Sequence, residues 1–173
     1  MKNEIAIIDY GAGNLGSLIN ALKYLDYSVE IINKPSKKKF SHIILPGVGA
    51  FGKLARNLVK TGFKEFLLNM NEKNVKILGI CVGMQLLFET SDEGGDQKGL
   101  ELINGKFEKF EFKENSILPL PHVGFSKVYQ IKSHIWNEIP DKSYFYFIHT
   151  FRLKNILNEF VSGNSNYGEN FIS

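Results

Sequence analysis

The first hundred residues switch repeatedly between two hydrophobic periods, and no other feature of the sequence constrains the fold as much. Glu4-Ile5-Ala6-Ile7-Ile8-Asp9 is a short apolar run of strand type, followed by Leu15, Leu18, Ile19, Leu22 and Leu25 at the spacing of one helix face. Val29-Glu30-Ile31-Ile32 reads as a second strand, and His42-Ile43-Ile44-Leu45 as a third, closed by Pro46. Leu54 and Leu58, then Phe63, Phe66, Leu67 and Met70, supply further helical faces with a break at Gly62. Val75 to Ile80 is a fourth strand, and Met84 to Thr90 is predicted to open a helix. Strand and helix in regular order imply right-handed crossovers, hence a parallel sheet covered on both faces. Ligands of such sheets sit beyond the carboxyl ends of the strands, where the glycine-rich segments of this chain fall.

Further along, the texture changes. Short aromatic and β-branched runs (Lys106 to Phe112, Val123 to Ile131, Tyr144 to Leu153, Glu159 to Ser162) are separated by turn signals such as Asn104-Gly105 and Ser162-Gly163-Asn164. These predict antiparallel hairpins attached to the parallel sheet. With 173 residues, no internal repeat and no linker, one domain over residues 1–173 is expected. Its 23% charged and 43% hydrophobic residues are those of a globular chain. No apolar run approaches a membrane span, and the N-terminus lacks the apolar core of a signal peptide. A net charge of +3 makes no case for nucleic acid, and the Lys34 to Lys39 cluster, broken by Pro35 and Ser36, reads as a solvated loop. One cysteine, Cys81, excludes a disulfide framework and suits a reducing cytoplasm.

Three glycine-rich loops follow strands. Gly11-Ala12-Gly13-Asn14-Leu15-Gly16 matches the dinucleotide pattern G-x-G-x-x-G, with Glu30 near the place of a ribose-binding acid. Asp9 would set its charge against a pyrophosphate, however, and no second nucleotide-binding half follows, so a tight turn with close helix packing is the stronger reading. Pro46-Gly47-Val48-Gly49-Ala50-Phe51-Gly52 has three glycines in six positions, which free the backbone to present amide hydrogens or to turn a peptide plane.

The third loop, Gly79-Ile80-Cys81-Val82-Gly83-Met84-Gln85, resembles a nucleophile elbow with cysteine in place of serine. A nucleophile on a sharp strand-to-helix turn has strained backbone angles. Strand and helix pass so closely there that the residues two before and two after it must be small, and Gly79 and Gly83 hold those places. The turn puts Cys81 at a helix N-terminus, where the dipole is expected to favour thiolate, and points the Val82 amide at a developing oxyanion.

Taken in order, Asp9-Tyr10-Gly11-Ala12-Gly13-Asn14, Leu45 to Phe51, Gly79 to Glu89, Pro121-His122-Val123-Gly124 and Tyr146-Phe147-Ile148-His149-Thr150 resemble a class I glutamine amidotransferase domain. More narrowly, they are similar to the glutaminase subunits of imidazole glycerol phosphate synthases, enzymes of histidine biosynthesis. The resemblance implies a flavodoxin-like, three-layer α/β fold and a reaction at the elbow. Cys81 would attack the carboxamide of glutamine, release ammonia and leave a thioester that water converts to glutamate. Val82 and one amide of Gly47, Val48 or Gly49 would hold the oxyanion, the latter after a peptide flip. Gln85, Glu93, Thr150 and Phe151 match substrate-binding positions. Asn14, Pro121 and His122 match surface that faces a (β/α)8 barrel synthase, the partner that would receive the ammonia. No cofactor and no metal are implied.

The sequence departs from this pattern in two places. The family's His-Pro-Glu segment, its general base and the residue orienting it, is absent from the 173 residues. This predicts a truncated chain and a poor or inactive glutaminase as it stands, because protonating ammonia and activating water need an acid–base partner. His42, His122, His134 and His149 are read as surface or core histidines rather than as a replacement. In addition, Val123-Gly124-Phe125-Ser126 stands where tryptophan and asparagine are usual. The alternatives are a related subunit serving amidation of a surface sugar, a non-catalytic pseudo-glutaminase, and a cysteine hydrolase or chaperone-like relative.

Overall fold

A computed structural model describes residues 4–13, 15–95, 97–112, 118–131, 133–153 and 160–173. The chain divides into two compact units, Met1–Asn104 and Gly105–Ser173.

In the first unit, β1 (Ile5–Ile8) is followed by α1 (Gly16–Tyr24), β2 (Val29–Ile32), β3 (His42–Leu45), α2 (Phe51–Thr61), α3 (Phe63–Glu72) and β4 (Lys76–Gly79). The four strands form a parallel sheet in the order β2-β1-β3-β4, in the register Ile5 with Val29 and His42, and Ile44 with Leu78. Alternate residues of each strand face opposite sides, and the sequence uses both. Ile5, Ile7 and Ile44 pack on Leu15, Leu18, Ile19 and Leu22 of the α1 segment. Ala6, Ile8, Ile43 and Leu45 join Leu54, Leu58, Phe63 and Leu67 of α2 and α3 in the larger core. Gly62 breaks the two helices apart at φ 76°, a conformation that costs glycine little. The strand order reverses between β1 and β3, the point at whose carboxyl ends ligands of such sheets bind.

The helix predicted over Met84 to Thr90 is only partly present. Helix α4 (Val82–Gln85) has four residues, and β5 (Phe88–Ser91) takes over where Phe88-Glu89-Thr90-Ser91 favours extended structure. The following chain doubles back on it, with the Gly99 amide donating to the Glu89 carbonyl at 2.8 Å.

The second unit contains β6 (Ile103–Lys109), β7 (His122–Lys127), β8 (Tyr129–Gln130), a 3-10 turn (His134–Trp136), β9 (Tyr144–His149), β10 (Phe151–Leu153), β11 (Gly163–Tyr167) and β12 (Glu169–Ile172). Its strands pair antiparallel in the order β6-β10-β12-β11-β8, and β7 pairs with β9 as a separate ribbon. The run Tyr144 to Leu153 is two strands broken at Thr150. Ser162-Gly163-Asn164, expected as a turn, instead opens β11, whose hairpin with β12 turns at Gly168 (φ 71°). Arg152, with 1% of its surface exposed, donates from Nε to Glu169 at 2.9 Å and from Nη1 to the Glu108 carbonyl at 3.1 Å. No described helix is long and apolar enough to cross a membrane.

Candidate active site at the cysteine elbow

Three loops of the first unit meet beyond the carboxyl ends of β1, β3 and β4. Cys81 is the residue between β4 and α4, and its backbone sits at φ 56°, ψ −121°. A side chain rarely adopts that conformation, and it is retained here because the surroundings leave no alternative. A Cβ added to Gly79 would lie 2.5 Å from the Met84 Cα and 2.6 Å from the Gly83 carbonyl oxygen. One added to Gly83 would overlap the Leu45 carbonyl, and one on Gly47 would overlap the Gly83 amide. Both flanking glycines of the elbow are therefore required by the crossing of backbone on backbone. The result is an exposed thiol at the end of a buried turn.

The electrostatics differ from the expectation of a thiolate favoured by a helix dipole. Partial burial pushes the Cys81 pKa up; the Val82 amide, hydrogen-bonded to it, lowers it; the Glu93 carboxylate raises it again, and the net direction is upward. A helix of four residues supplies little dipole to oppose the desolvation.

The oxyanion donors are both engaged. The Val82 amide donates to the Gly47 carbonyl at 3.3 Å, and the Val48 amide donates to the Ala12 carbonyl at 2.9 Å. Gly49 lies at φ 134° and has open space around it, so this segment has the freedom that turning a peptide plane demands. Val48 itself is 69% exposed.

Gln85 is 7% exposed, and its Oε1 finds no hydrogen-bond partner among the described residues. A buried amide carbonyl left in that condition costs about 1–3 kcal/mol, a cost that a ligand's donor would offset. Glu93 accepts from the Phe51 amide at Oε2 (2.9 Å), while its carbonyl accepts from the Gly52 amide (3.2 Å). It thus caps α2, which has no side-chain cap of its own, and holds its charge close enough to act on the Cys81 thiol.

Tyr10 was not foreseen as a site residue. It is 2% exposed, its hydroxyl donates to the Pro46 carbonyl at 2.7 Å, and burial together with the negative charge of Cys81 pushes its pKa upward. In the sequence Tyr10 belongs to the Asp9 to Asn14 segment that carries the family resemblance, but a tyrosine two residues past β1 reads equally well as core. The dinucleotide reading finds no support. The Gly11 amide is taken by the Asp9 side chain (3.3 Å), and Glu30 is ion-paired to Lys38 (2.7 Å).

Of the other expected residues, Thr150, Phe151, Pro121 and His122 are in the second unit. Asn14 lies outside the described residues. In the second unit, Thr150 and Phe151 form the corner between β9 and β10, where the Thr150 carbonyl accepts from the Phe110 amide at 3.1 Å. Pro121 is exposed, but His122 is 2% exposed and its ring is turned inward, stacked 4.0 Å from Tyr167. Its side chain therefore cannot form a docking surface. The alternation of β7 gives that face to Val123 and Phe125, the latter 70% exposed.

The histidines are equally constrained. His149 Nδ1 lies 2.9 Å from the Phe151 carbonyl and must donate to it, because a carbonyl only accepts. Its Nε2 then accepts from His122 Nδ1 (2.9 Å), and His122 Nε2 accepts from the Ser126 hydroxyl (3.0 Å). All four nitrogens of the pair are committed inside the unit, and neither ring is available as a general base. His42 is exposed beside Ser41 (3.0 Å), and His134 sits exposed in the 3-10 turn.

The elbow, the glycine loop facing it and the parallel sheet beneath define a cysteine-dependent amidotransferase, and the chain belongs to the class-I glutamine amidotransferase family, which it matches over residues 6–171. Within that family it is similar to the imidazole glycerol phosphate synthase subunit HisH of several bacteria. It is 38% identical to that of Desulfitobacterium hafniense (strain Y51) over 169 residues, covering 96% of this chain and 78% of the relative. With that of Chlorobium chlorochromatii (strain CaD3) it is 37% identical over 172 residues, 98% of this chain and 84% of the relative. Among solved structures, a glutamine amidotransferase superposes with a TM-score of 0.70 at 14% identity, over 95% of this chain and 85% of that one. PurLQS from Thermotoga maritima gives 0.69 at 16% identity, over 98% and 78%.

Proposed function

We propose that this chain is the glutaminase subunit of an imidazole glycerol phosphate synthase, producing ammonia from glutamine for a (β/α)8 barrel partner. The observation that carries the reading is Cys81, an exposed thiol on a strained elbow between two glycines that admit no side chain. Identity of 37–38% to HisH subunits over nearly the whole chain supports the subunit assignment.

In the reaction, the Cys81 thiol gives up its proton and its sulfur attacks the glutamine carboxamide carbon. The carbonyl electrons move onto oxygen, where the Val82 amide and an amide of the Gly47-Val48-Gly49 segment receive them. Collapse of this intermediate breaks the C–N bond, the nitrogen leaves as ammonia carrying the proton that the thiol gave up, and a γ-glutamyl thioester remains. Water then cleaves the thioester to glutamate and frees the thiol. The Val48 amide must first leave the Ala12 carbonyl, which makes the oxyanion site conditional on movement of the glycine loop. Gln85 Oε1 offers an acceptor to the substrate's N–H groups, and Glu93 offers a negative charge to its α-ammonium group.

Incubating the protein with glutamine, quenching in acid and weighing the intact chain tests this. A γ-glutamyl adduct on Cys81, absent from Cys81→Ala, is expected; no adduct in the presence of a barrel synthase would overturn the reading. A second reading, a non-catalytic subunit that keeps the partner-binding role, is favoured by one observation. The four nitrogens of His122 and His149 are occupied, so neither serves as a general base. It predicts partner binding without an adduct.

A further inference from the structure

The oxyanion segment is held from both ends. At its far end the hold is a single backbone hydrogen bond, the Val48 amide on the Ala12 carbonyl (2.9 Å), beside Gly49, which has space to turn. At its near end, the Tyr10 hydroxyl donates to the Pro46 carbonyl at 2.7 Å from a site 2% exposed. Asn57 Nδ2 in turn donates to the Tyr10 carbonyl (3.2 Å), tying the tyrosine to α2. The residue between these two holds, Gly47, is wedged against the Val82–Gly83 backbone so tightly that a Cβ there would clash with it.

We infer that Tyr10 is a positioning residue for amide cleavage: its hydroxyl fixes the Pro46–Gly47 peptide, so that only the peptides beyond Gly47 turn when the oxyanion site forms. The inference rests on the glutaminase reading above. The physical basis is the geometry of a hinge. A donor aimed at a tetrahedral oxygen is useful only when held to within about half an ångström, and a segment free at both ends cannot return to one position. Pro46 brings a fixed φ to the start of that peptide, and the hydroxyl on its carbonyl oxygen then holds the plane's remaining freedom of rotation. Losing the hydroxyl would leave the buried carbonyl unsatisfied and let the plane rotate, while the thiol, the elbow and Gln85 stay in place.

The test compares Tyr10→Phe with the parent chain in three measurements. The rate of γ-glutamyl adduct formation at saturating glutamine is expected to fall about 10- to 100-fold, less than the roughly 100- to 1,000-fold cost of removing an oxyanion donor outright, because the donor is displaced and not removed. Glutamine affinity, measured by calorimetry in the Cys81→Ala background, is expected to stay within about twofold, since the substrate groups are untouched. Alkylation of Cys81 by iodoacetamide, a displacement that forms no oxyanion, is expected to keep its parental rate. An unchanged acylation rate overturns the inference, and so does a parallel loss in acylation, affinity and alkylation, which would mean general disorder. A parent chain that binds glutamine but forms no adduct even with a barrel synthase present overturns the glutaminase reading itself, and that outcome is seen before any variant is made.

Discussion

Cys81 shows how much strain one residue is allowed when the backbone around it has no other path. At φ 56° and ψ −121°, glycine would be more comfortable than cysteine. Cys81→Gly is therefore expected to raise stability by about 0.5–1 kcal/mol in urea melts while abolishing adduct formation. Cys81→Ala keeps the strain and is expected to change the melting temperature by no more than a few degrees, again with no adduct. A collapse of the fold in either variant would mean that the thiol serves packing. Gly83 behaves oppositely. A methyl group there would overlap the Leu45 carbonyl, part of the β3 strand, so Gly83→Ala is expected to cost more than about 2 kcal/mol and to displace the elbow. The need for small residues at 79 and 83 was legible in the sequence. Which atoms they avoid was not, because Leu45 and Pro46 reach Gly83 only through tertiary folding.

At the level of elements, the β7–β9 ribbon of the second unit is ordered by the chain Ser126, His122, His149, Phe151 carbonyl, in which every proton has a defined place. Burial, and then His149, pull the His122 pKa down from 6.5 to about 4; burial also lowers that of His149, against the Phe151 carbonyl. Below the ordinary histidine pKa the unfolded chain takes up protons that the folded pair refuses. Stability is therefore fully present above about pH 6.5 and falls as the pH drops toward 4. Urea titrations between pH 7 and 4 check the slope, and His122→Phe, which keeps a ring against Phe147 and Tyr167, is expected to flatten it. A pH-independent parent would show that the pair is hydrated. The strands carrying this chain were visible as aromatic runs, but the break of Tyr144 to Leu153 at Thr150 was not, since the corner is set by hydrogen bonds to β6 and to His149. The long helix expected after the elbow failed for a similar reason: Phe88 to Ser91 found a partner in the returning chain.

For the whole molecule, the proposed role makes turnover dependent on something beyond the elbow. Both oxyanion amides are engaged and the thiol pKa is raised, so basal glutamine hydrolysis is expected to be low and to rise at least tenfold with a barrel synthase present. Coupled ammonia release measures this, and vigorous hydrolysis by the 173-residue chain alone would contradict it. Without the structure, the alternation of periods already determined a parallel sheet with crossovers, and Gly79, Cys81 and Gly83 already marked the reactive turn, because both signals reside in residues close together along the chain. Tertiary structure alone decided that Tyr10 holds Pro46, that Glu93 caps α2 and reaches the thiol's field, and that His122 turns inward rather than out. Each of these depends on atoms brought together from distant parts of the chain, and local spacing carries no information about which distant carbonyl, amide or ring will be met.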